Sequence, residues 1–113
     1  MAKLELDNPS WESVSRAIEG ISQQWEIRND NGTVKFLRFE AEKAYPKHHH
    51  PDRTEWLYVI SGEMNAEIDH DTHKLEKGEF ALFPVNSEHS LSAGPDGAVV
   101  LVVAISEYPR HTL

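Results

Sequence analysis

Three consecutive histidines, His48-His49-His50, precede Pro51-Asp52-Arg53-Thr54-Glu55, and His89 follows far downstream. On an extended strand, residues i and i+2 share a face about 6.5–7 Å apart. His48 and His50 can therefore straddle one ion at metal–nitrogen distances of about 2.1 Å. Glu55 lies beyond the Pro51-Asp52 turn signal and can return on a neighbouring strand with an oxygen ligand. His89 arrives from a distant segment and completes a set of three nitrogens and one oxygen. His49 takes the opposite face of the strand and is left out of the set. There is no cysteine, so a thiolate cage is excluded. A tag remnant is terminal, whereas this run is internal. An exposed polar loop would not require Glu55, Gly62, Gly78, Pro84 and His89 at their observed spacings.

Such a set has a definite chemistry. Three neutral imidazoles and one carboxylate leave a divalent ion with one net positive charge, and an octahedral ion keeps two cis positions for water, substrate or dioxygen. Open positions distinguish a reactive site from a structural one. Iron, manganese, nickel, copper and zinc all accept these donors, so the expected cofactor is one divalent transition metal of unspecified identity.

The elements that must hold these residues are mostly strands. Asn8-Pro9-Ser10 reads as the start of one short helix, with Trp11, Val14, Ala17 or Ile18, and Ile21 on its stripe and Gly20 as its stop. Strands are expected over Gln24 to Asn29 and Thr33 to Ala41, joined by a turn at Asp30-Asn31-Gly32. Thr54 to Ser61 is a strand stopped at Gly62, and Glu63 to Asp69 is the next. A hairpin tip at His70-Asp71-Thr72 leads into His73 to Glu76. After the Lys77-Gly78 turn come Glu79 to Phe83, the loop Pro84-Val85-Asn86-Ser87, and His89 to Ser92. Gly94-Pro95-Asp96-Gly97 reads as a turn. Ala98 to Ile105 is a nearly continuous apolar run, expected to be buried on both faces. Many short strands separated by Gly and Pro turns indicate an all-β antiparallel barrel or jelly roll.

With these elements in place, the spacing resembles a small single-domain cupin. His48-x-His50, four residues, Glu55, six residues and Gly62 are similar to the first cupin motif; Gly78, five residues, Pro84 and then His89 are similar to the second. The 15 residues between Gly62 and Gly78 are similar to the short region between motifs in compact members. Three positions depart from the pattern: Glu42 and Asn86 stand where the family has glycine, and Ala93 where it has asparagine. Asn86 tolerates positive φ better than most residues and can fill the same turn. The resemblance implies a double-stranded β-helix with the metal inside, often dimeric. It implies one domain over residues 1–113, with its core at about 34–105 and the helix and first strand at 8–30. It also implies functions from dioxygenase, decarboxylase, isomerase and lyase to non-enzymatic sensor.

Strand parity supplies further expectations. If Glu55 faces the interior, Leu57 and Val59 do too, while Trp56, Tyr58 and Ile60 face outward as an apolar patch that a second subunit or the N-terminal segment should cover, a homodimer being the preferred reading. Leu91 shares the face of His89 and becomes a pocket wall. Arg38, Tyr45 and Lys47 are further catalytic candidates: Arg38 could clamp an anionic group, and Tyr45 and Lys47 stand beside the ligand strand. His70, His73 and His111 read as solvated.

Composition narrows the partners. A chain of 113 residues with 39% hydrophobic and 27% charged residues suits one globular core. A net charge of −8 argues against nucleic acid and anionic membranes. No apolar run spans a bilayer, and Met1 to Asp7 lack a signal-peptide core, so a cytoplasmic setting is expected, in keeping with the absence of cysteine. The functional expectation is a metal-dependent enzyme acting on a small polar metabolite, oxygenase-like or of the sugar or sugar-acid isomerase type. The alternative is a non-catalytic cupin that senses a metabolite or metal.

Overall fold

Successive residues of a strand point to opposite sides, so each strand of this chain gives half of its residues to the interior. The computed structural model describes residues 12–13, 21–41, 44–48 and 53–106, with side chains at 26, 28–41 and 53–106. The strands are β1 (Glu12–Ser13), β2 (Ile21–Asn29), β3 (Gly32–Phe39), β4 (Ala44–His48), β5 (Arg53–Ile68), β6 (Asp71–Glu76), β7 (Phe80–Phe83) and β8 (His89–Ser106). Every pairing is antiparallel.

Two long strands, β5 and β8, pair with each other over nearly their whole length. Their first ladder half, Arg53 to Gly62 against Ser106 to Ala98, sits between β3 and β7 and continues to β2 and β1. Their second half, Met64 to Ile68 against Ala93 to His89, sits between β4 and β6. Two sheets thus share one bent ladder, forming the expected double-stranded β-helix. Its core joins residues of both halves, including Leu37, Phe39, Leu57, Val59, Met64 and Val100.

The bend corrects two expectations. Gly62 does not stop a strand, and Gly94-Pro95-Asp96-Gly97 is not a turn between strands. Gly62 pairs with Ala98 and Met64 with Ala93, so four residues of β8 bulge opposite Glu63 alone. Gly62 has φ +74° and Gly97 φ +73°, a left-handed backbone that glycine adopts without a Cβ penalty. A Cβ on Gly62 would run into the Gly97 carbonyl oxygen, and one on Gly97 would lie 2.7 Å from the Phe39 carbonyl oxygen. Glycine inside a strand marks a bulge and a close backbone approach here.

Other differences are smaller. The first hairpin turns on Asp30-Asn31, because Gly32 already pairs with Asn29, whose Oδ1 accepts from the Asn31 amide at 2.8 Å. The second turns on Asp69 and His70, at φ +46° and +76°, because Ile68 pairs directly with Asp71; two left-handed residues match the strand twist. The helix expected from residue 8 to 20 lies outside the described residues, save Glu12–Ser13. These two are extended and pair with Gln24 and Gln23, so at those positions edge hydrogen bonding prevails over helical periodicity. The Ala98–Ile105 run is not buried on both faces. Leu101 and Val103 are half-buried and Ile105 is exposed, on the same side as exposed Trp56 and Tyr58.

Replacing Gly62 by alanine should lower unfolding stability by about 1–3 kcal/mol, through left-handed strain and the carbonyl clash. Urea denaturation measures this; an unchanged midpoint would show that the bend does not depend on this glycine.

Candidate functional site

The site begins with a turn. Pro84, Val85, Asn86 and Ser87 close on themselves: the Ser87 amide and hydroxyl both donate to the Pro84 carbonyl, at 3.0 and 2.7 Å. Asn86 takes φ +64°, so it fills the turn position where the resemblance places glycine, as expected. This turn sends the chain from β7 back into β8 and brings Phe83 against His89. Their rings stack with centroids 4.4 Å apart and an interplanar angle of 26°.

His89 is 3% exposed. Its Nδ1 lies 3.2 Å from the Ser87 carbonyl oxygen. A carbonyl can only accept, so as a hydrogen bond this contact calls for the proton on Nδ1. Metal-ligating histidines are commonly oriented in this way through their second nitrogen. The Asp69 amide donates to the Glu88 carbonyl at 3.0 Å, and the Glu88 amide donates to Asp69 Oδ1 at 3.1 Å, fixing the start of β8 against the hairpin.

Glu55 reaches the same region from the other sheet. It pairs with Phe83 across β5 and β7 and with Ala104 across β5 and β8. Its parity is that of Leu57 and Val59, both fully buried, so it faces the interior as expected. The Glu55 side chain is 12% exposed, and its Oε1 lies 4.0 Å from Arg53 Nε. Directly opposite strand residues have Cβ atoms about 4.5–5.5 Å apart. Glu55 and His89 therefore flank the same phenylalanine from two sheets.

The remaining predicted residues separate into three groups. The backbone of His48 lies directly opposite His89 in the β4–β8 pairing, and Tyr45 opposite Leu91, with an irregularity between them that contains Lys47. The side chains of these β4 residues, and all of His49, His50 and His111, lie outside the description. Among the described residues no three potential ligands cluster; the described part of the set is Glu55 and His89. Arg38 does not share their side of the sheet. It alternates with inward Leu37 and Phe39, pairs with Val99, and lines an outer groove of about 530 Å³ with Glu40, Ser61 and Asp96. Leu91 is buried beside His89, and His70 and His73 are exposed, as expected.

The donor chemistry fits a divalent ion: a buried imidazole with one nitrogen already committed, and a shielded carboxylate nearby. Two inward residues escaped the sequence reading. Thr33 and Lys35 share the inner face of β3 with Leu37 and Phe39. Period-two counting back from Phe39 would have found them, but apolar Val34 and Phe36 on the other face blurred that signal.

Residues 35–105 match the cupin domain family. An oxidoreductase of Arthrobotrys oligospora is 35% identical over 89 residues, which are 74% of this chain and 34% of that protein; the chain spans about a third of that relative. KdgF from a Halomonas species superposes with TM-score 0.73 at 17% identity, over 98% of this chain and 96% of that one. A variant of Bacillus subtilis oxalate decarboxylase superposes with TM-score 0.70 at 22% identity, over 77% of this chain and 26% of that one. At these identities the two superpositions establish the fold.

Asn86→Val should cost about 1–2 kcal/mol of stability, because a β-branched residue resists left-handed φ. Asn86→Gly should be neutral or stabilising. Thermal melting with histidine NMR resonances checks both: a valine variant with unchanged stability and unchanged His89 signals would remove the turn from the account.

Proposed function

The chain belongs to the cupin domain family, and from that premise we propose that it is a metal-dependent enzyme acting on a small polar metabolite. His48, His50, Glu55 and His89 hold one divalent transition ion in this reading. The observation that carries it is His89: buried, held through Nδ1 by the Ser87 carbonyl, and stacked on the ring beside Glu55. When bound, such an ion supplies Lewis acidity to a substrate oxygen, and redox chemistry if it is iron.

The chain's own residues set the conditions. Glu55 places negative charge at the interior end of β5 and offsets the ion's charge. Phe83 stacks on the His89 ring and covers that face of it from water. Leu57, Val59 and Val100 floor the barrel beneath Glu55 with apolar surface. The name of the Arthrobotrys relative, an oxidoreductase, favours redox chemistry over isomerisation, and the oxygenase-like reading is the member of the pair that includes it. A cytoplasmic setting belongs to the same proposal.

Metal analysis of protein purified without added ions tests the centre. Wild type should carry about one transition ion per chain, and His50→Ala should lose most of it while melting cooperatively. Full retention in that variant, or a metal-free wild type, would overturn the ligand assignment. Product formation in a metabolite screen supports the enzyme; a thermal shift without product would make the protein a sensor.

The partner of the same chain is a second copy. The outer face of β3, β8, β5 and β7 carries Trp56 and Tyr58 at 37% exposure, Phe80 at 67%, Leu82 at 48% and Ile105 at 47%. At 150–250 Å² per large side chain, these present roughly 450 Å² of apolar surface. Half-buried Val34, Phe36, Leu101 and Val103 extend the same face, towards the ~800 Å² per partner of a stable interface. At one corner the face ends at the groove where Arg38 stands with Glu40 and Asp96, so it is the apolar residues that a second copy would cover. Sedimentation should give a dimer for wild type and a monomer for Trp56→Glu with its metal content unchanged. A monomeric wild type would overturn the second copy and leave the face to another protein or to the rest of this chain.

A further inference from the structure

The inner face of β3 holds two polar side chains that find no partner among the described residues. Thr33 is 7% exposed, and its Oγ1 is buried without a hydrogen-bond partner. Threonine favours strands for its shape alone, but a buried orphan hydroxyl calls for a physical explanation. Lys35, two residues on, is half-buried on the same face, and among the described residues its ammonium has no ion pair. Glu26 lies opposite Lys35 across β2 and β3, yet Glu26 Oε1 is held by Arg28 through Nε at 2.9 Å and Nη2 at 2.7 Å.

Register ties this pair to the site. Thr33 pairs with Ala104, and Ala104 with Glu55; Lys35 pairs with Val102, and Val102 with Leu57. Thr33 and Glu55 therefore stand in one row across three strands, with backbones about 10 Å apart. Ala104 between them contributes only a methyl group. That separation is one that a short ligand and the side chains of Glu55, Thr33 and Lys35 would have to span together.

We propose that Thr33 Oγ1 and Lys35 Nζ form an anion subsite that receives the second carboxylate of a small dicarboxylate ligand whose other end lies at Glu55. This rests on the metal-dependent reading of that end and specifies its substrate class as a small dianionic acid. The hydroxyl donates one hydrogen bond, and the ammonium donates another and supplies the countercharge. In a chain with net charge −8, an inward cation with no ion pair among the described residues favours an anionic guest.

The probe is succinate, with its monomethyl ester as the singly charged control, titrated calorimetrically into manganese-loaded wild type, Thr33→Val, Thr33→Ser and Lys35→Met. Wild type should bind succinate with a dissociation constant at or below roughly 1 mM and prefer it to the ester by about tenfold. Thr33→Val and Lys35→Met should each weaken succinate by about tenfold and erase that preference; Thr33→Ser should keep both. All four should retain equal manganese, and Thr33→Val should melt no lower than wild type, because it removes an orphan hydroxyl. Equal succinate affinity across the variants, or no binding to wild type, overturns the subsite. Manganese absent from wild type, with succinate binding still sensitive to Lys35→Met, sinks the metal reading and keeps the subsite.

Discussion

The structure depends on one long antiparallel ladder being folded in half. Glu55 sits near the start of β5 and His89 at the start of β8, where it pairs with Ile68. Along a straight strand, residues 55 and 68 would be about 40 Å apart. The bulge at Gly62 and residues 94–97 turns the second half of the ladder over the first, and Phe83, paired with Glu55, comes to stack on His89. Neither sheet alone would hold both residues. The left-handed glycines at the bend are therefore as much part of the site as the side chains at its mouth, although they touch nothing there.

The interior that results is graded. Its inner rows pass from Thr33, Ala104, Glu55 and Phe83 at one end, through Lys35, Val102, Leu57 and Ala81, to Leu37, Val100 and Val59 deeper in. Charge and hydroxyls gather at the first end, and the deeper rows are aliphatic. Burying an unsatisfied polar group costs about 1–3 kcal/mol, so polar groups survive where a guest can satisfy them, and the aliphatic rows supply the stability that offsets their cost. The Pro84–Ser87 turn belongs to the same division. It satisfies its own backbone, then offers the Ser87 carbonyl to His89, so the ring is held without drawing on the apolar rows.

Much of this was legible in the residues because a strand has a period of two. Glu55, Leu57 and Val59 declared the inner face of β5, and Trp56 and Tyr58 the outer. Asn86 declared a left-handed turn. The punctuation of long strands was harder to read. Glycine marks a stop, a turn or a bulge equally well, and only the resumed pairing on either side shows that Gly62 and residues 94–97 interrupt a ladder without ending it. Arg38 was illegible for a related reason: β3 carries apolar residues on both faces, so hydrophobic pattern could not say which side was inner. At Glu12 and Ser13 local propensity yields to an edge strand's unpaired hydrogen bonds, which no helical periodicity reveals.

The same two-faced strand raises the question of what prevents a slip. Moving β5 by one residue against β8 would put Trp56 inside and Glu55 outside, exchanging the whole site for the apolar face. The hydrophobic pattern resists weakly, because Trp56, Tyr58 and Leu57 are all acceptable core residues. Resistance comes from the bulge. Gly62 fits against the Gly97 carbonyl, and Gly97 against Phe39, only because neither has a Cβ. A slip would bring Ser61 or Glu63 to that contact, where a side chain collides with backbone. The constraint that folds the ladder over thus also fixes its register, and a single pair of glycines decides both that Glu55 faces inward and that it meets the sheet carrying His89.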